Sequence, residues 1–373
     1  MKILKNITVF TMVMLLSVST VLEAREKNIS NFSSSASNLV DSTGTFDGNK
    51  IYADVANNGL FLDFHVSGDS ALEWPKGTGV HSIFQSALWM GATVNGSIRT
   101  IVGDYTQDMG PGPWGGDPLA AVHRIYKVEK SMLASPLDFA DFQEWPVEFG
   151  APWVDVDGDG VYTPLPGGTD HPEFLGDQVL WFVSNDGDPA YKLNFGTSPM
   201  NVEIQTTMFG FDRPDVFGDM VFLKQLVINK GSDDLVDTYM GLWSDPDLGY
   251  AGDDFVGCDV ALGMGYVWND GDDSQYSTLD IGTPAAGYDF FQGPMVPCED
   301  GDSEEVCPTE GAKMFGTRHP GMKNLKMSSF AFYINGDATY TDPSDETEGY
   351  FYLQGLRKDG SAYPVEIAGD LYD

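Results

Sequence analysis

The chain has few basic residues, few cysteines and few histidines for its length of 373 residues. It contains 20 Lys and Arg against 56 Asp and Glu, which gives a formal net charge of −36. Clustered Lys and Arg bind nucleic acids and anionic membranes, so this charge argues against both as partners and favours cations. The three cysteines include no CxxC pair and the five histidines are widely separated, which argues against a zinc site.

Signatures of known catalytic mechanisms are also missing. The sequence contains no GxSxG nucleophile elbow, no HExxH helix and no Walker A loop. These absences favour a non-enzymatic protein. A glycosidase needs only two positioned carboxylates, however, so a secreted carbohydrate-active enzyme or a carbohydrate-binding module stays open as the alternative. For that alternative, Trp114 in a Gly- and Pro-rich loop is the best placed residue to stack on a sugar.

The N-terminus has the residue order of a secretory signal. Lys2 and Lys5 form a basic region, residues 7–22 are mostly apolar, and Ala24 provides a small residue for cleavage. The 16-residue apolar run is short for a membrane span, and no later run approaches that length. We therefore predict a signal peptide at 1–24, a secreted or cell-surface protein, and no membrane span after cleavage. An uncleaved anchor is the alternative interpretation.

The acidic residues are mostly aspartate: 41 Asp and 15 Glu accompany 43 Gly and 21 Pro. Asp, Gly and Pro favour turns, so this composition predicts many short strands joined by acidic loops. Without amphipathic helices between the strands, the expected fold class is mostly β, an antiparallel β-sandwich with long acidic loops and one minor short helix at 136–145. The predicted strands are 51–55, 60–66, 86–94, 97–102, 121–130, 178–184, 202–209, 220–229, 237–243, 260–268, 329–334 and 350–356.

The composition also suggests a division into domains. We predict a flexible linker at 25–45, which is rich in Ser and Asn, and an N-terminal β domain at 46–150. An acidic loop segment of the calcium-binding type follows at 151–177, and a second β-sandwich domain occupies 178–373. Because the strand-like segment 362–367 nearly reaches the last residue, we expect this second domain to be truncated.

Two local signals are specific. The strands at 86–94 and 97–102 flank Asn95-Gly96, the preferred residue pair of a two-residue type I′ hairpin turn. Cys298 and Cys307 flank an acidic segment, and in an exported protein they form the natural disulfide of a surface loop. Cys258 is then left over in an apolar-flanked run, which predicts a buried thiol.

The sharpest motif is Asp-Val-Asp-Gly-Asp-Gly at 155–160. The side chains of Asp155, Asp157 and Asp159 can converge on one cation, Gly160 permits a sharp turn, and the Val161 carbonyl takes the usual backbone-ligand position. We therefore predict Ca²⁺ as the cofactor. A solvated Asp-Gly turn is the alternative interpretation.

The motif resembles the opening half of the calcium loops of EF-hand, dockerin and thrombospondin type 3 proteins. The resemblance covers about eight residues. The twelfth position of the loop is Pro166, where those families carry a bidentate Glu or Asp. The closing carboxylate must therefore come from Asp170, Glu173 or Asp177.

A second acidic cluster follows a predicted strand. Its carboxylates are those of Asp245, Asp247, Asp253, Asp254 and Asp259. Like charges this close repel one another unless a cation or solvent exposure relieves them. An acidic loop is the favoured interpretation here, and a second calcium site is the alternative.

Several further stretches resemble one type of large secreted bacterial surface protein that carries a C-terminal sorting domain for type IX secretion. They are WPK at 74–76, ALWMGA at 87–92, GAPWVD at 150–155, WSDPDLG at 243–249, DDFVGCD at 253–259 and GYDFFQGP at 287–294. The resemblance implies a cell-surface or released protein and no known reaction, and the sorting domain is not visible in this chain. We therefore expect a structural or binding protein with calcium-stabilised loops, whose partner is an extracellular polysaccharide or a surface protein.

Overall fold

The computed structural model describes residues 43–165, 170–334 and 336–364. The predicted signal peptide and most of the predicted linker lie outside these residues. The linker prediction fails at its end, because residues 43–45 belong to the first strand. Their backbone pairs with the next strand from Thr43↔Ala56 to Phe46↔Ala53.

The described residues form two antiparallel main sheets and several small ones, as predicted for the fold class. The strands of the first half are β1 (Thr43–Phe46), β2 (Tyr52–Ala56), β3 (Leu60–Leu62), β4 (Leu72–Glu73), β5 (His81–Val94), β6 (Ser97–Ile101), β7 (Gly110–Pro111), β8 (Tyr126–Glu129), β9 (Trp153–Val154), β10 (His171–Pro172) and β11 (Gln178–Asn185). Those of the second half are β12 (Val202–Gly210), β13 (Phe222–Asn229), β14 (Val236–Pro246), β15 (Asp254–Asp259), β16 (Met264–Asn269), β17 (Ala286–Asp289), β18 (Met295–Pro297), β19 (Ala312–Met314), β20 (Thr317–His319) and β21 (Met322–Asn324).

Helices are few among the described residues. The α helices are α1 (Ala140–Gln143) and α2 (Glu346–Leu353). Short 3-10 turns lie at Ala121–His123, Lys130–Ala134, Pro136–Asp138, Val147–Phe149, Pro189–Tyr191, Val216–Asp219 and Tyr276–Leu279. No helix in the described part of the chain has the length and apolar character needed to cross a membrane.

The first main sheet, sheet A, is built around the 14-residue strand β5. Its order is β1-β2-β4-β5-β14, and β3 and β6 also pair with β5. The β5–β6 hairpin confirms the turn prediction, since Val94 pairs with Ser97 and both Asn95 and Gly96 have positive φ, 52° and 81°. A type I′ turn requires that conformation at both central residues.

The second main sheet, sheet B, has the order β13-β12-β11-β7, and β8 also pairs with β11. Sheets A and B pack face to face. Successive residues of β11 point to opposite faces, so Leu180 and Phe182 enter the core shared with sheet A. Val179 and Trp181 enter a second core on the outer face of sheet B. Burial on both faces explains why every residue of β11 is buried.

Different segments cover the outer faces of the sandwich. Helix α2 lies over sheet A, where a Cβ added at Gly91 would be 2.6 Å from the Tyr350 ring. The glycine therefore permits the close approach of helix and strand. The outer face of sheet B is covered by residues 130–162, whose Phe142 and Trp145 are each at most 2% exposed.

The predicted domain division does not coincide with these sheets. Strand β14 belongs to the predicted second domain, yet it pairs with β5 from Val236↔Thr93 to Pro246↔Ile83. Strand β8 belongs to the predicted first domain and pairs with β11 in sheet B. Antiparallel strands complete their hydrogen bonding with distant segments, and composition along the chain does not reveal such pairing.

Two segment predictions were wrong, and three predicted strands were too long. Residues 350–356 were predicted as a strand but mostly lie in helix α2, because Asp345 caps that helix by accepting bonds from the Thr347 and Glu348 amides. Residues 329–334 form no ladder, although Ala331 and Tyr333 pack against a core as alternation predicted. The predicted strand 121–130 is shortened to β8, and the predicted strand 60–66 is shortened to β3. The predicted strand 260–268 begins only at Met264, in β16.

Candidate metal centre

The acidic loop begins and ends at a two-residue ladder. Strands β9 and β10 pair antiparallel, with Trp153 opposite Pro172 and Val154 opposite His171. Asp155 and Asp170 are the next residues inside this ladder, so the register brings their carboxylates to the same end of the loop. This explains how two acids 15 positions apart in sequence meet.

The loop is attached to the outer core of sheet B. The Trp145 indole N–H donates to the Pro152 carbonyl at 3.0 Å, and the Tyr162 hydroxyl donates to the Phe142 carbonyl at 2.6 Å. The rings of Trp153 and Tyr162 meet edge to face, 5.6 Å apart, and both pack against that core. The segment before the loop and Tyr162 within the loop are therefore both anchored on this core.

Four aspartates converge within the loop. Asp155, Asp157, Asp159 and Asp170 each offer a carboxylate oxygen within 4.8 Å of the others. Three of these residues are exposed, whereas Asp170 is only 1% exposed. A set of four carboxylate oxygens is the ligand chemistry of hard cations, and it can hold a metal ion.

Backbone amides hold the exposed carboxylates in place. Asp155 accepts from the Gly158 amide at 2.7 Å through Oδ1 and from the Gly160 amide at 2.9 Å through Oδ2. Asp159 accepts from the Val161 amide at 2.7 Å. Gly158 and Gly160 both have φ of 76°, a left-handed conformation that glycine adopts without steric cost. The DxDxDG spacing is thus what allows the loop to fold over its own acids.

Asp170 is the most tightly held of the four. Its Oδ1 accepts from the Val156 amide at 2.9 Å, and its Oδ2 accepts from the Thr163 amide at 2.7 Å and the Thr163 hydroxyl at 3.2 Å. Burial raises the pKa of Asp170, but these hydrogen bonds to the ionised form outweigh it and the pKa is lowered. Asp170 therefore remains a carboxylate at the base of the group.

Asp157 shows the electrostatic cost of the cluster. The hydrogen bond from the Asp159 amide lowers the pKa of Asp157. Desolvation and the charges of Asp159, Asp170 and Asp155 outweigh that bond, so the pKa of Asp157 is raised. A bound cation would relieve the repulsion among these closely spaced negative charges.

The structure selects among the predicted closing residues. Asp170 joins the three motif aspartates, and Asp177 and Glu173 lie outside the group within the described residues. Asp177 instead accepts from the Asp212 amide at 3.0 Å beside sheet B, and Glu173 lies 3.9 Å from the Lys224 ammonium. The β9–β10 ladder explains the choice, because the chain has already left the loop at His171. Val161 lies in the loop and is 58% exposed. That its backbone carbonyl binds the ion stays a prediction.

The second acidic cluster does not assemble in the same way. Among the described residues, Asp155, Asp157, Asp159 and Asp170 form the one group of three or more His, Cys, Asp or Glu that meets this 4.8 Å spacing. The carboxylate of Asp254 instead accepts from the Leu248 amide at 2.9 Å. Asp273 is fully buried and accepts from the amides of Tyr250 and Tyr276. These acids organise turns.

The three cysteines are placed as follows. Cys298 and Cys307 are joined in a disulfide, with their Cα atoms 5.9 Å apart. Cys258 is a buried thiol in β15, 5% exposed. The disulfide closes the acidic loop 298–307, which is far from the four-aspartate group in the sequence.

No protein-family model, curated protein or solved structure matches this chain. The functional argument therefore rests on the four-aspartate group and on the surfaces of the sandwich.

Proposed function

We propose that this protein is a secreted or cell-surface structural and binding protein, without enzymatic activity, whose loop 155–170 holds Ca²⁺. The observation that supports the proposal is the convergence of four carboxylates, three of them at alternate positions of a DxDxDG motif. The resemblance to large secreted surface proteins of the type IX secretion class agrees with this proposal. So does the acidic composition, which suits a calcium-rich exterior.

Calcium is favoured over magnesium by the form of the site. Calcium accepts six to eight oxygens in flexible geometry, whereas magnesium demands a tight octahedron and retains its waters. Asp155, Asp157, Asp159 and Asp170 would supply the carboxylate ligands, and the exposed side of the loop leaves room for water. The ion would supply positive charge that cancels the repulsion among the four acids.

The proposed role of the ion is structural. Trp153 precedes loop 155–170 and Tyr162 lies within it, and both side chains pack against the core on the outer face of sheet B. A cation that fixes the loop would therefore also fix the cover of that core. No step of bond making or breaking is assigned to the ion.

Isothermal titration of the EDTA-stripped full chain tests the proposal. We expect one calcium site with Kd of about 10⁻⁴–10⁻³ M, as in many extracellular modules, and weaker binding of Mg²⁺. Asp157→Ala should abolish that site. The matched control is Asp188→Ala, since Asp188 is also an exposed turn aspartate that accepts a backbone amide, at 2.9 Å. Equal calcium binding by wild type and Asp157→Ala would contradict the proposal.

Export is tested separately. We expect mass spectrometry of the mature protein to find an N-terminus that follows Ala24. Recovery of an intact Met1 terminus from the membrane fraction would contradict the secreted location and leave the calcium proposal untouched.

A further inference from the structure

Strands β15, β16 and β17 form a three-stranded sheet with a row of aromatic rings on one face. We call Phe255, Tyr266 and Trp268 the aromatic platform. Phe255 and Trp268 are directly opposite in the register, with ring centroids 5.7 Å apart, and the Tyr266 ring lies 5.5 Å from Trp268. The three rings are therefore contiguous, with Trp268 at the centre.

The platform faces away from the core. Alternate residues of the same strands, Val256, Val267 and Ala286, pack inward with Leu248 and Tyr276. The platform residues occupy the intervening positions, which point to the opposite face. Phe255 is 45% exposed, and Tyr266 and Trp268 are half-buried.

Two glycines keep this face flat. Gly257 and Gly287 are the register partners of Tyr266 on its two sides. A Cβ at Gly257 would lie 3.2 Å from Tyr266 Cζ and 3.3 Å from Trp268 Cζ3, and one at Gly287 would lie 3.2 Å from Tyr266 Cβ. The rings can lie close to the sheet because these positions have no side chain.

Polar groups surround the platform. Among the described residues, no group bonds to the Trp268 indole N–H or the Tyr266 hydroxyl, and neither atom is among the buried polar atoms without a partner. Asp259 and Asp289 flank Met264 in the register on the same face, and Asp289 is exposed. The rings are thus bordered by groups that can donate to or accept from hydroxyls.

Charge and area narrow the class of partner. The acidic border and the net charge of −36 repel nucleic acids and anionic polysaccharides. An aromatic side chain buries about 150–250 Å². Even taken together, the three rings therefore bury less than the roughly 800 Å² that each partner contributes to a stable protein interface. An uncharged sugar ring matches both limits, because its apolar C–H face packs on an aromatic ring while its hydroxyls reach the carboxylates.

We infer that the aromatic platform binds uncharged pyranose units of an extracellular polysaccharide. The inference rests on the proposed extracellular binding role and gives that role a partner class. The platform and the four-aspartate group are separate in the fold, since the former lies on the β15–β17 sheet and the latter on the outer face of sheet B.

Binding of the full chain to insoluble cellulose, xylan, mannan and β-1,3-glucan in millimolar calcium tests the inference. We expect retention on at least one of these polymers. Trp268→Ala and Phe255→Ser should each weaken it by roughly tenfold or more, because the stacking rings are the central contacts. Trp114→Ala tests the competing stacking residue that the sequence favoured, which is 42% exposed in a different loop, and this variant should bind like wild type. Melting temperatures of the three variants would verify that each is folded.

Several outcomes would overturn the inference. They are no retention on any of the four polymers, equal retention of wild type and the two platform variants, and loss of retention in Trp114→Ala alone. A dimer in size-exclusion chromatography that Trp268→Ala dissociates would assign the platform to a second copy, together with the exposed hairpin tip of Val260 and Leu262. Asp157→Ala should still bind the polymer, so failure of the calcium proposal and failure of this inference are distinguishable.

Discussion

At the residue scale, Lys192 is a buried cation whose ammonium lies close to two buried carboxylates. It is 4% exposed, and its ammonium donates to Asp108 Oδ2 at 2.8 Å and to the Thr100 carbonyl at 2.6 Å. Asp186 lies 3.9 Å away and accepts from the Met200 and Val202 amides. Burial raises the pKa of Asp108 to about 6 although Lys192 lowers it. The three side chains hold the 100–108 and 186–202 segments together.

Lys192→Met should therefore destabilise the protein strongly. It leaves two buried carboxylates without their cation, and removal of one partner of a buried ion pair costs about 3–5 kcal/mol. Urea unfolding would measure the change. Lys50→Met is the control, because Lys50 is 40% exposed in its pair with Asp219 and such pairs are worth about 1 kcal/mol or less. Similar losses in both variants would contradict this account of Lys192.

A substitution at Asp170 can distinguish a metal ligand from an aspartate that only stabilises a turn. Asp170→Asn removes the charge and keeps one acceptor for the Val156 and Thr163 amides. We expect the difference in melting temperature between wild type and Asp170→Asn to increase by a few °C when EDTA is replaced by millimolar calcium. Asp177→Asn should show the same difference in both solutions, since Asp177 lies outside the group. A calcium-independent effect of Asp170→Asn would make Asp170 a structural residue only.

At the element scale, local turn chemistry was predictable where one residue pair determines it. Asn95-Gly96 specifies a hairpin because both positions need positive φ, and the structure has that hairpin. The DxDxDG motif likewise predicted the loop at 155–160. The sequence named Asp170, Glu173 and Asp177 as candidates for the fourth acid without choosing among them, because the choice depends on the β9–β10 ladder. Such a two-residue ladder leaves almost no pattern in the sequence.

Helix α2 illustrates the opposite error. Residues 350–356 resemble a strand in sequence because Tyr350 and Tyr352 are two positions apart, as residues on one face of a strand are. Both tyrosines are buried in the structure. The signal that was missed lies before it, where Asp345 and Glu348 have the spacing of a helix-capping pair. Packing of α2 on β5 then buries the two tyrosines, and periodicity alone does not distinguish that packing from a sheet.

Asp345→Ala tests this account of α2. Loss of the cap leaves the Thr347 and Glu348 amides without their acceptor, and it should cost about 1 kcal/mol of unfolding free energy. Chemical denaturation would measure the loss, with Asp300→Ala as the control because Asp300 is exposed and outside any helix. An Asp345→Ala variant as stable as the control would contradict the capping role.

At the scale of the whole molecule, the sandwich buries several carboxylates that are costly to ionise. Burial raises the pKa of Asp104 to about 7, with a further contribution from the Asp342 charge, and raises the pKa of Asp254 to about 7. The pKa of Asp108 is about 6. A group whose pKa is raised in the folded state stabilises the fold at low pH, and that stabilisation is lost as the pH rises through the folded pKa.

The protein should therefore be more stable at pH 5 than at pH 8. In EDTA, which removes any contribution of calcium, we expect the free energy of unfolding to be greater at pH 5 by an amount on the order of 2 kcal/mol. Asp104→Asn should reduce that dependence, whereas Asp300→Asn, at an exposed site, should leave it unchanged. Stability that rises from pH 5 to pH 8 would contradict the prediction.

The two-sheet organisation was only partly predictable. Alternation and turn residues predicted antiparallel strands in a sandwich, as observed. They did not predict that β14 pairs with β5, because partners about 150 residues apart are chosen by the shared core and not by local pattern. The division at 151–177 followed the acidic composition, which marks a surface loop of one sandwich.

The central claim is that the four-aspartate group binds calcium and stabilises the fold through loop 155–170. The most direct measurement is the melting temperature of wild type and Asp157→Ala in EDTA and in about 10 mM calcium, well above the expected Kd. We predict a rise of roughly 3–10 °C for wild type and little or none for Asp157→Ala. An equal rise in both proteins would contradict the claim and place any calcium elsewhere.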